Sequence, residues 1–419
     1  MGCELAFVLI NPYTIAKSRT GGVIARYTSR TDLDFVAARM FRPSRQLVQE
    51  YADHLRRSDS KHPETCRLLA DYMLKSYSPD PETNRPRRVM MLLFEGEDAV
   101  HKIWQVTGST TLKSGSGQTI RDTYGDYIVG PDGQVQYFEP AVLVGPTRER
   151  AAVTLRLWAR YAETDAGLVE TAADVPQGEK VEKTLVLLKP DNFRYRSSRP
   201  GNIIDVLSRS GLRIVGVKKF CMTVAQAEEF YGPVRQSLEE KFEDIGRERL
   251  ADALCREFGF EVPPDALKDI CAKLAPPFAQ SQFESIVKFM TGYKPSECSR
   301  HDRTCKCREE CLALVYEGEE AVITIRSLLG PTDPRKAAPG SVRREYGSDI
   351  MVNAAHASDS VENARRELKI IGLEEDTISP WVARYYGSPL QRAKAKLTGM
   401  PRRLPGFVDA KKLQRNEEE

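Results

Sequence analysis

Histidine is scarce in this chain, with five in 419 residues, and tryptophan is scarcer, with three. Imidazole is the side chain whose ordinary titration falls near neutral pH, so each histidine can be weighed by its surroundings. Long apolar runs are missing. None approaches the roughly 18 residues of a membrane-spanning helix, and no membrane partner is expected. The first residues show no signal-peptide pattern. Gly2 and Cys3 offer acylation positions, but Ala6 stands where a myristoylation signal has Ser or Thr. The nine cysteines, odd in number and unevenly spread, do not read as a disulfide framework and fit a reducing cytoplasm. A dominant charge is missing too: 62 Lys and Arg against 59 Asp and Glu leave +3, so the overall field does not indicate nucleic acid.

What is present allows two or three domains. Ala6 to Ile10 is an apolar run closed by Asn11-Pro12, a buried strand and its turn. Gly21-Gly22-Val23-Ile24 opens a short helix, and Leu47 to Leu55 and Cys66 to Leu74 have amphipathic helical spacing. Val89 to Phe94 is a further strand, and Ala99-Val100 begins the next helix. Then the chain repeats itself. Leu93-Phe94-Glu95-Gly96-Glu97-Asp98-Ala99-Val100 matches Val315-Tyr316-Glu317-Gly318-Glu319-Glu320-Ala321-Val322. In that register Arg121 falls on Arg343 and Tyr124-Gly125 on Tyr346-Gly347, while Leu5 to Pro12 parallels Lys183 to Pro190. Residues 1–164 and 181–391 are therefore read as two related domains, 165–180 as a small, polar, Pro- and Gly-broken linker, and 392–419 as a basic tail.

The stretch around which the second copy is organised is Asn353-Ala354-Ala355-His356-Ala357-Ser358-Asp359-Ser360. Asp359 followed by Glu362 has capping-box spacing, and Val361, Ala364 and Leu368 supply an apolar helical stripe. A histidine just ahead of a helix N-terminus is suited to anionic ligands. Upstream lie Ala338-Pro339-Gly340-Ser341-Val342-Arg343, Gly330-Pro331-Thr332-Asp333-Pro334, Tyr316-Glu317-Gly318 and Thr184-Leu185-Val186-Leu187-Leu188-Lys189-Pro190-Asp191.

Strand-lysine-proline, strand-Glu-Gly, G-x-T-x-P, P-G-S-V-R and N-x-x-H-x-S-D-S, in that order, resemble nucleoside diphosphate kinase from about Lys183 to Lys369. The resemblance implies an α/β (α+β) fold of two ferredoxin-like domains with four-stranded antiparallel sheets, packed as an intrachain pseudo-dimer that imitates the homodimer of single-domain relatives, with homo-oligomers of the chain open. It implies that His356 takes the terminal phosphoryl group of a nucleoside triphosphate and passes it to a nucleoside diphosphate, with Mg²⁺ bridging the phosphates. Lys189 and Tyr231 would lie near the transferring phosphate, and Arg326, Thr332 and Arg343 would bind phosphates. Asn353 and Lys189 would contact the ribose side, and Ser358 and Glu367 would support His356, Glu367 by accepting its other N–H. A carboxylate on one imidazole nitrogen fixes the tautomer and leaves the other nitrogen to attack.

The first copy departs from this pattern. Asn11 stands for Lys189 and Trp104 for Arg326, and the nucleophile position falls on Gln134 or on Leu143, depending on register. Neither can accept a phosphoryl group; Arg121 and Thr110 keep some capacity for nucleotide. In the second copy, Ala357 replaces the glycine that follows the histidine, and the stretch between Tyr231 and Phe283 is lengthened. The resemblance implies a base-stacking position there, at Phe283 or its neighbour Gln282. The insert, with Leu250, Leu254, Phe258 and then Leu267, Ile270, Leu274, reads as a helical pair broken at Pro263-Pro264. A second insertion holds Cys298, His301, Cys305, Cys307 and Cys311, a donor set that would suit a structural Zn²⁺. A different class of function, a nucleotide-binding scaffold or regulatory module whose kinase activity has decayed, is the competing expectation.

Overall fold

The structure, a computed structural model, describes residues 2–110, 117–169 and 181–388. The basic tail and residues 170–180 of the expected linker lie outside them. Its strands are β1 (Cys3–Ile10), β2 (Asp34–Phe41), β3 (Val89–Glu97), β4 (Asp126–Val129), β5 (Val135–Glu139), β6 (Val142–Val144), β7 (Val181–Leu188), β8 (Arg213–Cys221), β9 (Glu310–Glu319) and β10 (Ala355–Ala357). β4 and β5 form a hairpin of their own. The other eight make one sheet in the order β10-β7-β9-β8-β2-β3-β1-β6. The halves mirror each other about the β8–β2 seam: each runs fourth, first, third, second strand from edge to seam. Strand pairs β1–β3, β1–β6, β2–β3, β7–β9 and β7–β10 are antiparallel. Each copy thus has the expected four-stranded ferredoxin-like arrangement. Leu5 to Ile10 and Leu185 to Leu188 are buried throughout, which is why they read as unbroken apolar runs rather than alternating ones.

One four-stranded sheet per domain was expected, and the two are found joined edge to edge into one continuous sheet. At the seam Arg39 pairs with Lys218, both antiparallel and both buried. Like charges directly opposite would destabilise the ladder, and both side chains find oxygens elsewhere. Lys218 Nζ donates to the carbonyls of Ile371 (2.7 Å) and Gly372 (2.6 Å) and to Glu375 (2.8 Å), and Arg39 donates to the Glu374 carbonyl at 2.7 Å. Burial lowers the pKa of each, and the acidic turn at 374–376 opposes that. The Thr20–Arg30 and Arg199–Ser208 helices supply a second contact between the copies. A Cβ on Gly201 would stand 2.3 Å from the Gly21 carbonyl oxygen and 2.3 Å from the Ala25 nitrogen, and one on Gly21 would stand 2.5 Å from the Gly201 oxygen. Only glycine permits that backbone approach. Asp165 to Val169, inside the expected linker, are also tied down: Gly167 donates to Met40 and Val169 to Val215, each at 2.9 Å.

Cys221–Glu310 is a compact unit distinct from the rest of the chain. It contains the Val224–Phe258 helix, capped by Thr223 in a capping box, and the Pro264–Thr291 helix. Gly259 in the left-handed region ends the first helix, and the break falls at Pro263-Pro264 as the sequence predicts. The buried stripe of the second helix is Leu267, Cys271, Ala275, Ala279, Phe283 and Val287, one residue every helical turn. Leu274, expected to face inward, is 41% exposed. Small residues at 271, 275 and 279 leave room for the partner helix, and Phe242 meets Phe278 at 4.5 Å between ring centres. Among the described residues no helix is long and apolar enough to cross a membrane.

Candidate active site

β10 is only three residues long, yet it fixes His356 through both neighbours. Ala355, His356 and Ala357 pair with Leu188, Leu187 and Val186. The chain enters through Ala354 at φ +69°, whose carbonyl accepts from the Lys189 N–H at 2.9 Å, and leaves with Ser358 N–H donating to Leu185 at 3.1 Å. Ala355 and Ala357 are buried, and the pleat turns the imidazole between them to the opposite side. The Val361–Ile370 helix then brings Glu367 back to the ring. Its N-cap is Ser360, whose hydroxyl accepts from Asn363 N–H at 3.0 Å. The cap expected at Asp359 therefore falls one residue later, as a single N-cap bond; Asp359 instead accepts from the Asn363 side chain.

Both Glu367 carboxylate oxygens lie 3.1 Å from His356 Nε2, and Ser358 Oγ donates to Oε2 at 2.6 Å. Glu367 is 4% exposed and Ser358 fully buried. An ionised carboxylate only accepts, so it selects the tautomer with the proton on Nε2 and places the lone pair on Nδ1. The arrangement gives a partly open imidazole with a fixed nucleophilic nitrogen.

Lys189 follows β7 directly. Its Nζ donates to Asn353 Oδ1 at 2.6 Å and to the Met351 carbonyl at 3.2 Å, and Asn353 Nδ2 in turn donates to the carbonyls of Thr332 and Ile350. Burial, reinforced by the nearby Arg343 cation, pushes the Lys189 pKa down to about 8. Arg343 is held across the β10 entrance by the carbonyls of Gly330 (2.8 Å) and Ala355 (3.0 Å). Arg326 and the Thr332 side chain are exposed. One constellation, on the edge strand β10 and its flanks, therefore gathers Lys189, Arg343, Asn353, His356, Ser358 and Glu367.

Other expected site residues sit differently. Tyr231 and Phe283 belong to the Cys221–Glu310 unit, and each is 6% exposed. Phe283 lies in the buried stripe of its helix and in this conformation presents no open face for a base; Gln282 is half-buried. The zinc expectation is not supported. No group of three or more His, Cys, Asp or Glu among the described residues is placed to hold a metal ion. Cys311 is buried in β9, Cys305 turns its thiol to the His301 carbonyl of its own helix, and Cys307 has the Cys221 thiol as partner, which lowers its pKa; Cys298 and His301 join no such cluster. Asn192 was missed. Its amide donates to the carbonyls of Lys189 (2.9 Å) and Ala354 (2.6 Å), and Arg199 holds its oxygen at 2.8 Å. A polar Asp191-Asn192 pair directly behind a buried strand was the available signal.

The first copy repeats the scaffold without the chemistry. Ala141 has φ +61° as Ala354 has +69°, and Arg121 donates to Gly108 and Val142 as Arg343 does to Gly330 and Ala355. Leu143 pairs with Leu9 as His356 pairs with Leu187, so Leu143 rather than Gln134 holds the histidine position. The helix caps Thr147 and Ser360 match in the same register, which puts Thr154 at the place of Glu367. The lysine corner is filled: Tyr72 and Asn11 donate to buried Glu139, and Tyr77 donates to Asn11.

A repeated ferredoxin-like half carrying a carboxylate-held histidine beside a buried lysine defines a class of phosphate-handling protein. The profile of the nucleoside diphosphate kinase family matches residues 4–130, 182–245 and 298–376, more than half of the chain, and the chain belongs to that family. The nucleoside diphosphate kinase of Staphylothermus marinus is 30% identical over 200 residues, covering 48% of this chain and 98% of that protein. That of Wolinella succinogenes is 30% identical over 188 residues, covering 45% and 93%. Solved structures of the Aquifex aeolicus nucleoside diphosphate kinase (29% identity, TM-score 0.28) and of an NDP kinase from Pyrobaculum aerophilum (28%, TM-score 0.32) each match over 46% of this chain and 95% of theirs.

Proposed function

We propose that the chain transfers the terminal phosphoryl group of a nucleoside triphosphate to a nucleoside diphosphate through a phosphohistidine at His356. The observation that carries this reading is the Glu367 carboxylate on His356 Nε2, both oxygens at 3.1 Å, which reserves Nδ1 for attack. In the first half-reaction the Nδ1 lone pair forms a bond to the terminal phosphorus, the bond from that phosphorus to the bridging oxygen breaks, and the diphosphate leaves with the bridging electrons. In the second, a terminal oxygen of another diphosphate takes the phosphoryl group and returns His356 to its starting form. The triphosphate enters as its Mg²⁺ complex, the metal arriving with the substrate. Lys189, Arg343, Arg326 and Thr332 bind the phosphates, Asn353 positions Lys189, and Ser358 and Glu367 orient the imidazole. Fixed cations of this kind stabilise charge that develops on the transferring group without reorganising. The chain acts in the cytoplasm in this reading, in keeping with an odd number of unevenly spread cysteines.

A second reading, nucleotide binding without turnover, draws on the buried Phe283. Labelled ATP with Mg²⁺ separates the two. Acid-labile label on the wild type, discharged by added nucleoside diphosphates and absent from His356→Ala, supports transfer. Nucleotide binding without label on the wild type overturns it.

A further inference from the structure

We propose that the N-terminal half holds a nucleoside phosphate of its own, unreacted, in a cavity of about 300 Å³ with Arg121 as its anion anchor. The inference rests on the nucleotide reading of the second copy, because it transfers the ligand class across the internal repeat. The observations behind it belong to the first copy alone.

Arg121 is a buried cation, 4% exposed, at the wall of that cavity. Its guanidinium donates to the Gly108 carbonyl (2.9 Å), the Thr110 hydroxyl (3.0 Å) and the Val142 carbonyl (3.2 Å), and Nε has no hydrogen-bond partner among the described residues. All three acceptors are neutral. Burial pushes its pKa down to about 10, and the groups that oppose this are the phenols of Tyr27 and Tyr51 rather than any carboxylate. A desolvated charge without a counter-ion is expensive to maintain, and a bound anion would relieve it. The one carboxylate that lines the cavity among the described residues, Asp59, is already held by Arg150 at 3.0 Å and by His62 at 3.1 Å.

The remaining wall is suited to a planar group. Trp104, at the position of Arg326, is 41% exposed and lines the cavity with Leu55, Leu69 and Leu143. An indole face beside aliphatic side chains accepts a flat ring, and the volume is at the small end for ligand sites, roughly 300–1,000 Å³. The ligand would stay intact. Leu143 has no nucleophilic atom, and Tyr72, Tyr77 and Glu139 fill the corner where the second copy keeps its lysine network.

Equilibrium dialysis of the full chain with labelled ADP and Mg²⁺ tests this. Two equivalents are expected per wild-type chain. Trp104→Glu, which puts a carboxylate at an exposed wall with little risk to folding, and Arg121→Gln should each remove one, and Arg343→Gln should remove the other. One equivalent on the wild type, with Trp104→Glu and Arg121→Gln unchanged and Arg343→Gln empty, overturns the N-terminal site and leaves the C-terminal reading intact. Two equivalents persisting in both Trp104→Glu and Arg121→Gln also overturn it. An equivalent lost in Trp104→Glu and in Arg121→Gln supports it whatever Arg343→Gln shows.

Discussion

Replacing Glu367 by Gln keeps the shape of the His356 support and removes its charge. In the wild type either carboxylate oxygen can accept the Nε2 proton at 3.1 Å, and Ser358 donates to one of them at 2.6 Å. An amide has one acceptor and one donor at those two places. With its oxygen toward the ring, a charge-assisted bond becomes a neutral one, a loss of about 1–1.5 kcal/mol, or roughly 5- to 13-fold. With its NH₂ toward the ring, Nε2 must accept, the proton moves to Nδ1, and attack from Nδ1 is blocked. The two orientations compete, so we expect the first-turnover rate of His356 labelling by ATP to fall about 10- to 100-fold. The nitrogen-15 resonances of His356 should show the Nδ1-protonated tautomer gaining population, which a loss of packing alone would not produce. A Glu367→Gln rate within about twofold of wild type, beside an unlabelled His356→Ala, would refute the reasoning.

Gly201→Ala tests the contact between the copies. Alanine gains about 1 kcal/mol over glycine as a helix former, but its Cβ would lie 2.3 Å from two backbone atoms, and such overpacking costs about 1–3 kcal/mol. We expect a lower urea midpoint; a higher one would mean that the helices do not meet as described. Lys189 supplies a pH dependence. Its folded pKa of about 8 lies below the ordinary lysine value of 10.5, so between them the unfolded chain binds the extra proton and stability rises with pH. Below about 8 the folded lysine is charged and the full burial cost remains. Activity should run the other way, kcat/KM falling above about pH 8 as the cation is lost. A flat profile up to pH 10, or a limb unchanged in Lys189→Gln, would remove Lys189 from that role.

Much of the fold was legible because its signals are local. Leu5 to Pro12 and Lys183 to Pro190 are short apolar runs cut off by a turn, and the repeated Glu-Gly-acidic stretch fixes where each third strand hands over to a helix. The break ahead of Pro264 was legible too, but proline alone does not make it: Pro233, Pro276 and Pro277 lie inside the two helices, and the left-handed Gly259 ends the first. The helix cap was harder: Asp359 and Ser360 both satisfy the local rule, and only the extended backbone leaving β10 decides for Ser360. The zinc expectation finds no support for a related reason. Spacing brings cysteines near in sequence, but Cys311 is committed to a strand and Cys305 to its own helix.

The sequence by itself determined the repeat, the family and the order of the reactive side chains, because these are written in residue types at fixed spacings. It also determined that the first copy has Asn11 where the second has Lys189, and no histidine at either candidate nucleophile position. Only the tertiary structure decided which residue takes the histidine's place there, since Gln134 and Leu143 are separated by strand register and by nothing local. Only it decided that the two sheets are one, because Arg39 and Lys218 can face each other only where the distant 371–375 turn supplies oxygens for both. And only it placed Glu367 on Nε2, a contact between a strand and the helix after it that depends on the direction each side chain takes.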